Sequence, residues 1–235
     1  MPSTTFHVDA ALFDMDGTLL ESKAGVEGAW YLFKETYPDI DLDYIFQSNH
    51  GVRTVESLRL YCGLTDPEEI EREAARFETA IVTTAAKSGQ GIVLIPGVQE
   101  AMGILAPVSK LPNPRWAICT SATRSYATTA LGLVKISIPD VFVAAEDVTQ
   151  GKPCPDPYLL GAKRCGVKPE NCVVFEDAPA GVISGKAAGC KTIGFLTSHT
   201  RAQMEVAKPD FLVKDMSSVT LKLTENGIDI TVNTD

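Results

Sequence analysis

The sequence predicts an α/β protein: a doubly wound, Rossmann-like parallel sheet core with a small inserted all-α cap domain. Three observations carry this. From residue 98 onward, amphipathic helical stretches alternate with short apolar runs, the rhythm of parallel strands joined by crossover helices. One further apolar run, residues 8–13, stands well ahead of that series. Between the two, residues 21–91 show helical periodicity alone, which makes that stretch an insertion into the α/β pattern.

The run 8–13 reads as a buried strand because it is mostly apolar and bounded by polar residues. It ends at Asp14-Met15-Asp16-Gly17, where glycine permits a tight turn. In the insertion, Ala29, Leu32 and Phe33 share one helix face, and Val55, Leu58 and Tyr61 share another. Asp66-Pro67-Glu68-Glu69 is a helix start, with Asp as N-cap, Pro at the first helical position and Glu at the third. Ile70, Ala74, Phe77, Ile81 and Ala85 then form an apolar stripe, and residues 87–91 read as a return linker. The expected division is 1–20 with 92–235 as the α/β core, and 21–91 as the helical cap domain.

In the second half, helices are expected at 100–108, 125–133, 157–165 and 181–188. Strands are expected at 116–119, 141–143, 172–175, 192–195 and 211–213. Runs 219–223 and 228–232 flank Asn226-Gly227, a strong hairpin signal.

The chain's 235 residues, 45% of them hydrophobic, suffice for one large domain with a small one attached. A net charge of −9 disfavours nucleic acid and anionic membrane as partners, and an anionic substrate would need a local cation. The six cysteines are scattered, with no Cys-x-x-Cys and no histidine at zinc-ligand spacing, as suits buried thiols in a reducing compartment. The amino end lacks the basic and long apolar regions of a signal peptide, and the most apolar stretch, 92–108, is interrupted by Pro96, Gln99 and Glu100. These features predict a soluble, cytoplasmic protein, with a monomer as the default.

Of four notable groups of residues, three stand where predicted strands end, the edge at which open parallel sheets bind ligands, and one lies in a loop leading into a helix. Asp14 and Asp16 follow the first strand, and two acids so close to an apolar run call for a cation or a proton-transfer task. Thr120-Ser121-Ala122-Thr123 follows the strand at 116–119 and offers small hydroxyls to a phosphate oxygen. Gly151-Lys152-Pro153-Cys154-Pro155-Asp156-Pro157-Tyr158 carries a compact cation in a Gly/Pro-rich loop, with Lys152-Pro153 a candidate cis peptide. Glu176-Asp177 follows the strand at 172–175 and, with the first pair, suggests a hard-cation site.

In this order and context, the four groups resemble the motifs of the haloacid dehalogenase superfamily of phosphohydrolases. The helical insertion after the first motif is similar to that of its beta-phosphoglucomutase-like branch. Ser48-Asn49-His50-Gly51-Val52-Arg53-Thr54, Leu94-Ile95-Pro96-Gly97, residues 115–121 and 173–181 further resemble the fungal glycerol-3-phosphate and 2-deoxyglucose-6-phosphate phosphatases.

The resemblance implies a Mg²⁺-dependent phosphatase acting on a small sugar or polyol phosphate through an aspartyl-phosphate. Asp14 would be the nucleophile and Asp16 the general acid and base. The expected metal ligands are the Asp14 side chain, the Asp16 backbone carbonyl and Asp177, with Glu176 bound through water or orienting the shell. Ser121, the Ala122 N–H and Lys152 would hold the transferring oxygens, with Thr120 an alternative register for Ser121; Thr18 is expected to bond within the loop beside them. His50 and Arg53 would read the leaving group from the cap, with Glu21 and Lys23 behind them as candidates, while His7 and His199 read as structural or solvated. A phosphosugar mutase shares every catalytic residue, although the mutases carry Gly-Val-Ser-Arg where this chain has Gly51-Val52-Arg53-Thr54. A catalytically silent binding protein on the same fold is a third reading, against which stands the intact set of Asp14, Asp16, Lys152 and Asp177.

Overall fold

The computed structural model describes residues 3–48 and 51–234. The run expected as one strand divides at Asp9 into β1 (Ser3–Val8) and β2 (Ala10–Phe13). Asp9 is held there by Asn171, whose carbonyl accepts from the Asp9 N–H and whose side-chain amide donates to the Asp9 carboxylate. A two-stranded ribbon that the sequence did not announce, β3 (Leu20–Glu21) with β4 (Val93–Leu94), leads the chain out and back. Between its strands lie α1 (Lys23–Thr36), α2 (Leu42–Ser48), α3 (Thr54–Cys62) and α4 (Pro67–Ser88). Asp66 caps α4 as expected, accepting from the Glu69 N–H, and Trp30, Phe33 and Phe77 interlock between α1 and α4.

The chain then runs through α5 (Val98–Leu105), β5 (Trp116–Cys119), α6 (Arg124–Leu133), β6 (Phe142–Val143), α7 (Asp156–Cys165), β7 (Cys172–Glu176), α8 (Pro179–Ala187) and β8 (Lys191–Phe195). It closes with α9 (Arg201–Val206), β9 (Phe211–Val213), β10 (Val219–Leu223) and β11 (Ile228–Asn233). Helix α8 starts two residues before the expected position because Pro179 suits the first helical site. Helix α9 was not foreseen; it is short and held by a Thr200–Gln203 capping box. The expected hairpin forms as β10–β11, and β1 adds to it as a third antiparallel strand.

The main sheet is parallel, in the order β6-β5-β2-β7-β8-β9. Strand β2 is central, and the chain builds outward from it first through β5 and then through β7, so the order reverses at β2. Successive β2 side chains face opposite layers: Ala11 and Phe13 join the cluster reaching towards the helical insertion, Ala10 and Leu12 the one beneath α7. Burial on both faces explains the continuous apolar runs in β2, β5 and β7. Lys152-Pro153 is cis, as is Leu111-Pro112. All six cysteines are unpaired. Among the described residues, no helix is long and apolar enough to cross a membrane.

Candidate active site

Because β5, β2 and β7 are neighbours, the loops after them open onto one edge of the sheet. The Asp14 N–H bonds the Phe175 carbonyl, which fixes the first acid beside the strand that carries the second pair. Gly17 makes the close approach of the two loops feasible: its φ is +82°, and a Cβ there would fall 2.0 Å from Asp177 Oδ2.

Lys152 is the centre of the cluster. Its fully buried ammonium donates to Asp14 Oδ1 at 2.5 Å and to Glu176 Oε1 at 2.7 Å. Tyr158 Oη also donates to Glu176 Oε1, and the N–H groups of Asp177 and Ala178 donate to Oε2. Four donors therefore occupy Glu176, which suits it to hold Lys152 and the turn before α8. Burial opposes the Lys152 charge, but Asp14 and Glu176 outweigh it and hold the ammonium above its ordinary range. Burial, with Glu176 and Asp16 nearby, raises the Asp14 carboxyl to about 7 despite Lys152. Asp177 is likewise raised by burial and by the charges of Asp14 and Glu176.

Asp16 lies apart from that cluster. Its Oδ1 accepts from Ser22 Oγ at 2.6 Å and from Tyr126 Oη at 2.8 Å. Burial raises its pKa, and these two bonds pull the other way. Thr18 is fully buried and donates to Asp177 Oδ1 at 3.4 Å, so it ties its loop to the one after β7 instead of bonding within its own loop, and it does not line the cavity.

A cavity of about 200 Å³ runs from Asp14, Asp16 and Asp177 to the helical insertion. Thr120, Ser121 and Ala122 line it on the core side. The Thr120 hydroxyl accepts from the Ala122 N–H and is buried, whereas Ser121 is half-exposed and donates to the Gly51 carbonyl across the cavity mouth. On the far side stand Val26, Trp30, Ile45, Phe46, Phe77 and Ile81. Glu78 of α4 reaches the core, accepting from Thr54 Oγ1, the Thr123 N–H and Thr123 Oγ1.

Of the two cap residues expected to read a leaving group, His50 lies outside the described residues. The Arg53 guanidinium is turned away from the cavity: it bonds Glu56 and reaches the carbonyls of Val148 and Thr149, next to the Lys152 loop. Glu21 and Lys23 do line the cavity. His199, read as structural or solvated, pairs its Nδ1 with the Asp177 carbonyl. Sequence reading missed Ser22, Glu78, Tyr126 and Tyr158. Tyr158 stood inside the lysine motif; Tyr126 and Glu78 gave no signal, since only the fold brings α6 to Asp16 and the insertion's α4 to Thr123.

One carboxylate oxygen from each of Asp14, Glu176 and Asp177 lies within 4.8 Å of the other two. Three buried acids against one ammonium leave excess negative charge, and hard oxygen donors in that state match a small divalent cation. Asp14 and Asp177 are the acids with acceptor positions to spare.

The chain matches the haloacid dehalogenase-like hydrolase family over residues 8–189. It is 33% identical to glycerol-1-phosphate phosphohydrolase 1 of Saccharomyces cerevisiae, across 93% of this chain and 88% of that one. It is 32% identical to 2-deoxyglucose-6-phosphate phosphatase 1 of the same yeast, across 97% of this chain and 96% of that one. Its fold superposes on the crystal structure of beta-phosphoglucomutase from Clostridium difficile with a TM-score of 0.72 and 23% identity, covering 89% of this chain and 92% of that one.

Proposed function

The chain belongs to the haloacid dehalogenase-like hydrolases, and on that premise we propose that it is a phosphatase for a small sugar or polyol phosphate monoester. The observation that carries this is the buried Asp14–Lys152–Glu176 arrangement, of which Asp14 opens onto a cavity that also presents Asp16. The relatives that act on phosphate esters of glycerol and 2-deoxyglucose support the substrate class.

Asp14 attacks phosphorus, its new O–P bond forming as the bond to the leaving oxygen breaks. Asp16 gives the leaving oxygen its proton, then takes one from the water that cleaves the aspartyl-phosphate. Lys152, Ser121 and the Ala122 N–H offset charge on the transferring oxygens. A Mg²⁺ held by Asp14, Asp177 and the Asp16 carbonyl, with Glu176 behind them, would screen the phosphate from its anionic nucleophile. The helical insertion, residues 21–91, acts as the cap that encloses the leaving group.

A mutase must also grip a second phosphate. Beyond the phosphoryl site, the described lining residues offer Glu21, Glu27 and Glu78 against a single cation, Lys23, which favours hydrolysis of monoesters. Turnover of p-nitrophenyl phosphate with and without EDTA, followed by a panel including glycerol phosphate, 2-deoxyglucose 6-phosphate and hexose bisphosphates, tests the reading. Absence of phosphate release from every ester in the presence of Mg²⁺ overturns it.

A further inference from the structure

We infer that Tyr126 is a positioning residue for the proton-transfer step: with Ser22 it binds one oxygen of Asp16 and so presents the other to the leaving group. The inference rests on the assignment of Asp16 as general acid and base. It is carried by geometry. Ser22 Oγ and Tyr126 Oη reach the same atom, Oδ1, at 2.6 and 2.8 Å. Two donors on Oδ1 mark it as the acceptor oxygen and leave Oδ2 to carry a transferable proton. The two donors come from different parts of the fold. Ser22 lies between β3 and α1, at the exit to the helical insertion, whereas Tyr126 stands in the first turn of core helix α6.

Tyr126 is well placed to be rigid. It is 5% exposed and packs in the core cluster, and Thr123, the N-cap of its helix, is clasped by Glu78. It also lines the cavity beside Asp16, so the phenol and the acid share one wall. A free Asp16 side chain would rotate about two bonds. The phenol removes that freedom from the core side, whatever the insertion does with Ser22.

The test compares two esters on one scale. Glycerol 1-phosphate expels an alkoxide that must be protonated, whereas p-nitrophenyl phosphate expels a stable phenolate. The ratio kcat/KM reports only the steps through phosphoryl transfer, so it isolates the acid role from the later attack of water. Asp16→Asn is the reference and should lower kcat/KM for glycerol 1-phosphate far more than for p-nitrophenyl phosphate. Tyr126→Phe, which keeps the ring and removes only the hydroxyl, should show the same selective pattern, with a loss of roughly 5- to 50-fold on the glycerol ester. The loss should fall mainly on kcat, and Ser22→Ala in the Tyr126→Phe background should deepen it.

Selective loss in both Asp16→Asn and Tyr126→Phe supports the inference. Selective loss in Asp16→Asn, with equal losses or none in a folded Tyr126→Phe, overturns it while leaving the Asp16 assignment intact. No selectivity in Asp16→Asn overturns that assignment and the inference with it. If the wild type hydrolyses neither ester, the phosphatase reading itself has failed. Should Tyr126→Phe not fold, Ser22→Ala alone must show the selective loss, and its failure to do so also overturns the inference.

Discussion

Lys152 Nζ lies 2.5 Å from Asp14 Oδ1, with the lysine side chain wholly excluded from solvent and the aspartate 6% exposed. A buried cation on a strand-end carboxylate has little structural purpose that an apolar pair would not serve as well. In the proposed mechanism its purpose is chemical: the ammonium that orients Asp14 would also offset charge on a phosphate oxygen arriving beside it.

Replacing Asp14 by Asn should therefore abolish steady-state turnover, by roughly 1,000-fold or more, while the protein stays folded. An amide cannot form the acyl phosphate. Phosphate release assays on the purified variant check this, with mass spectrometry to exclude deamidation. Substantial residual activity would remove Asp14 from the nucleophile role.

Lys152→Met should cost stability as well as activity. Removing one member of a buried ion pair typically costs about 3–5 kcal/mol, which in a chain of this size lowers Tm by roughly 6–20 °C. The loss should be larger at pH 8 than at pH 5.5, because Asp14 takes up a proton at the lower pH and no longer needs its partner. Thermal melts at the two pH values measure the difference.

Metal dependence should be strict, with Mg²⁺ active, EDTA abolishing turnover and Ca²⁺ inhibiting. Calcium's looser, larger shell would engage more of the Asp14 carboxylate and so weaken it as the proposed nucleophile. Metal-free protein should also lose stability between pH 5 and pH 8. Asp14 is raised to about 7 and Asp177 is raised too, so the folded state holds protons that the unfolded chain has already released. That advantage is complete at acid pH and fades as pH rises through the folded values. Added Mg²⁺ should thus raise Tm by several degrees at pH 8 and by less at pH 5.5, as scanning fluorimetry would show; equal shifts would count against carboxylate ligands with raised pKa values.

Arg53→Ala should lower kcat/KM for glycerol phosphate and p-nitrophenyl phosphate by similar factors, about 10-fold. The guanidinium holds Glu56 and the carbonyls of Val148 and Thr149, so its loss loosens the insertion against the Lys152 loop for any ester. A loss confined to the polyol ester would show instead that Arg53 reaches the leaving group.

The parallel core and the acids at its edge could be read from the amino-acid sequence. Strands buried on both faces must be continuous apolar runs, and carboxylates directly after such runs stand out against them, so Asp14, Asp16, Glu176 and Asp177 were legible one strand at a time. Lys152 was legible because its Gly/Pro-rich surroundings are unlike a solvated helix face. The extra strand β1, the β3–β4 ribbon and helix α9 were not, because short elements are selected by their partners: β1 is mostly exposed and exists through its pairing with β11. Which side chains from distant segments meet at one atom depends on how the folded layers pack. Tyr126 and Asp16 are 110 residues apart, Glu78 and Thr123 are 45, and neither pair leaves a periodic trace. Arg53 shows the same limit from the other side: its place in the insertion suggested a reader of the leaving group, but a long, flexible side chain goes where acceptors are, and here Glu56 and the carbonyls at 148 and 149 lie within its reach.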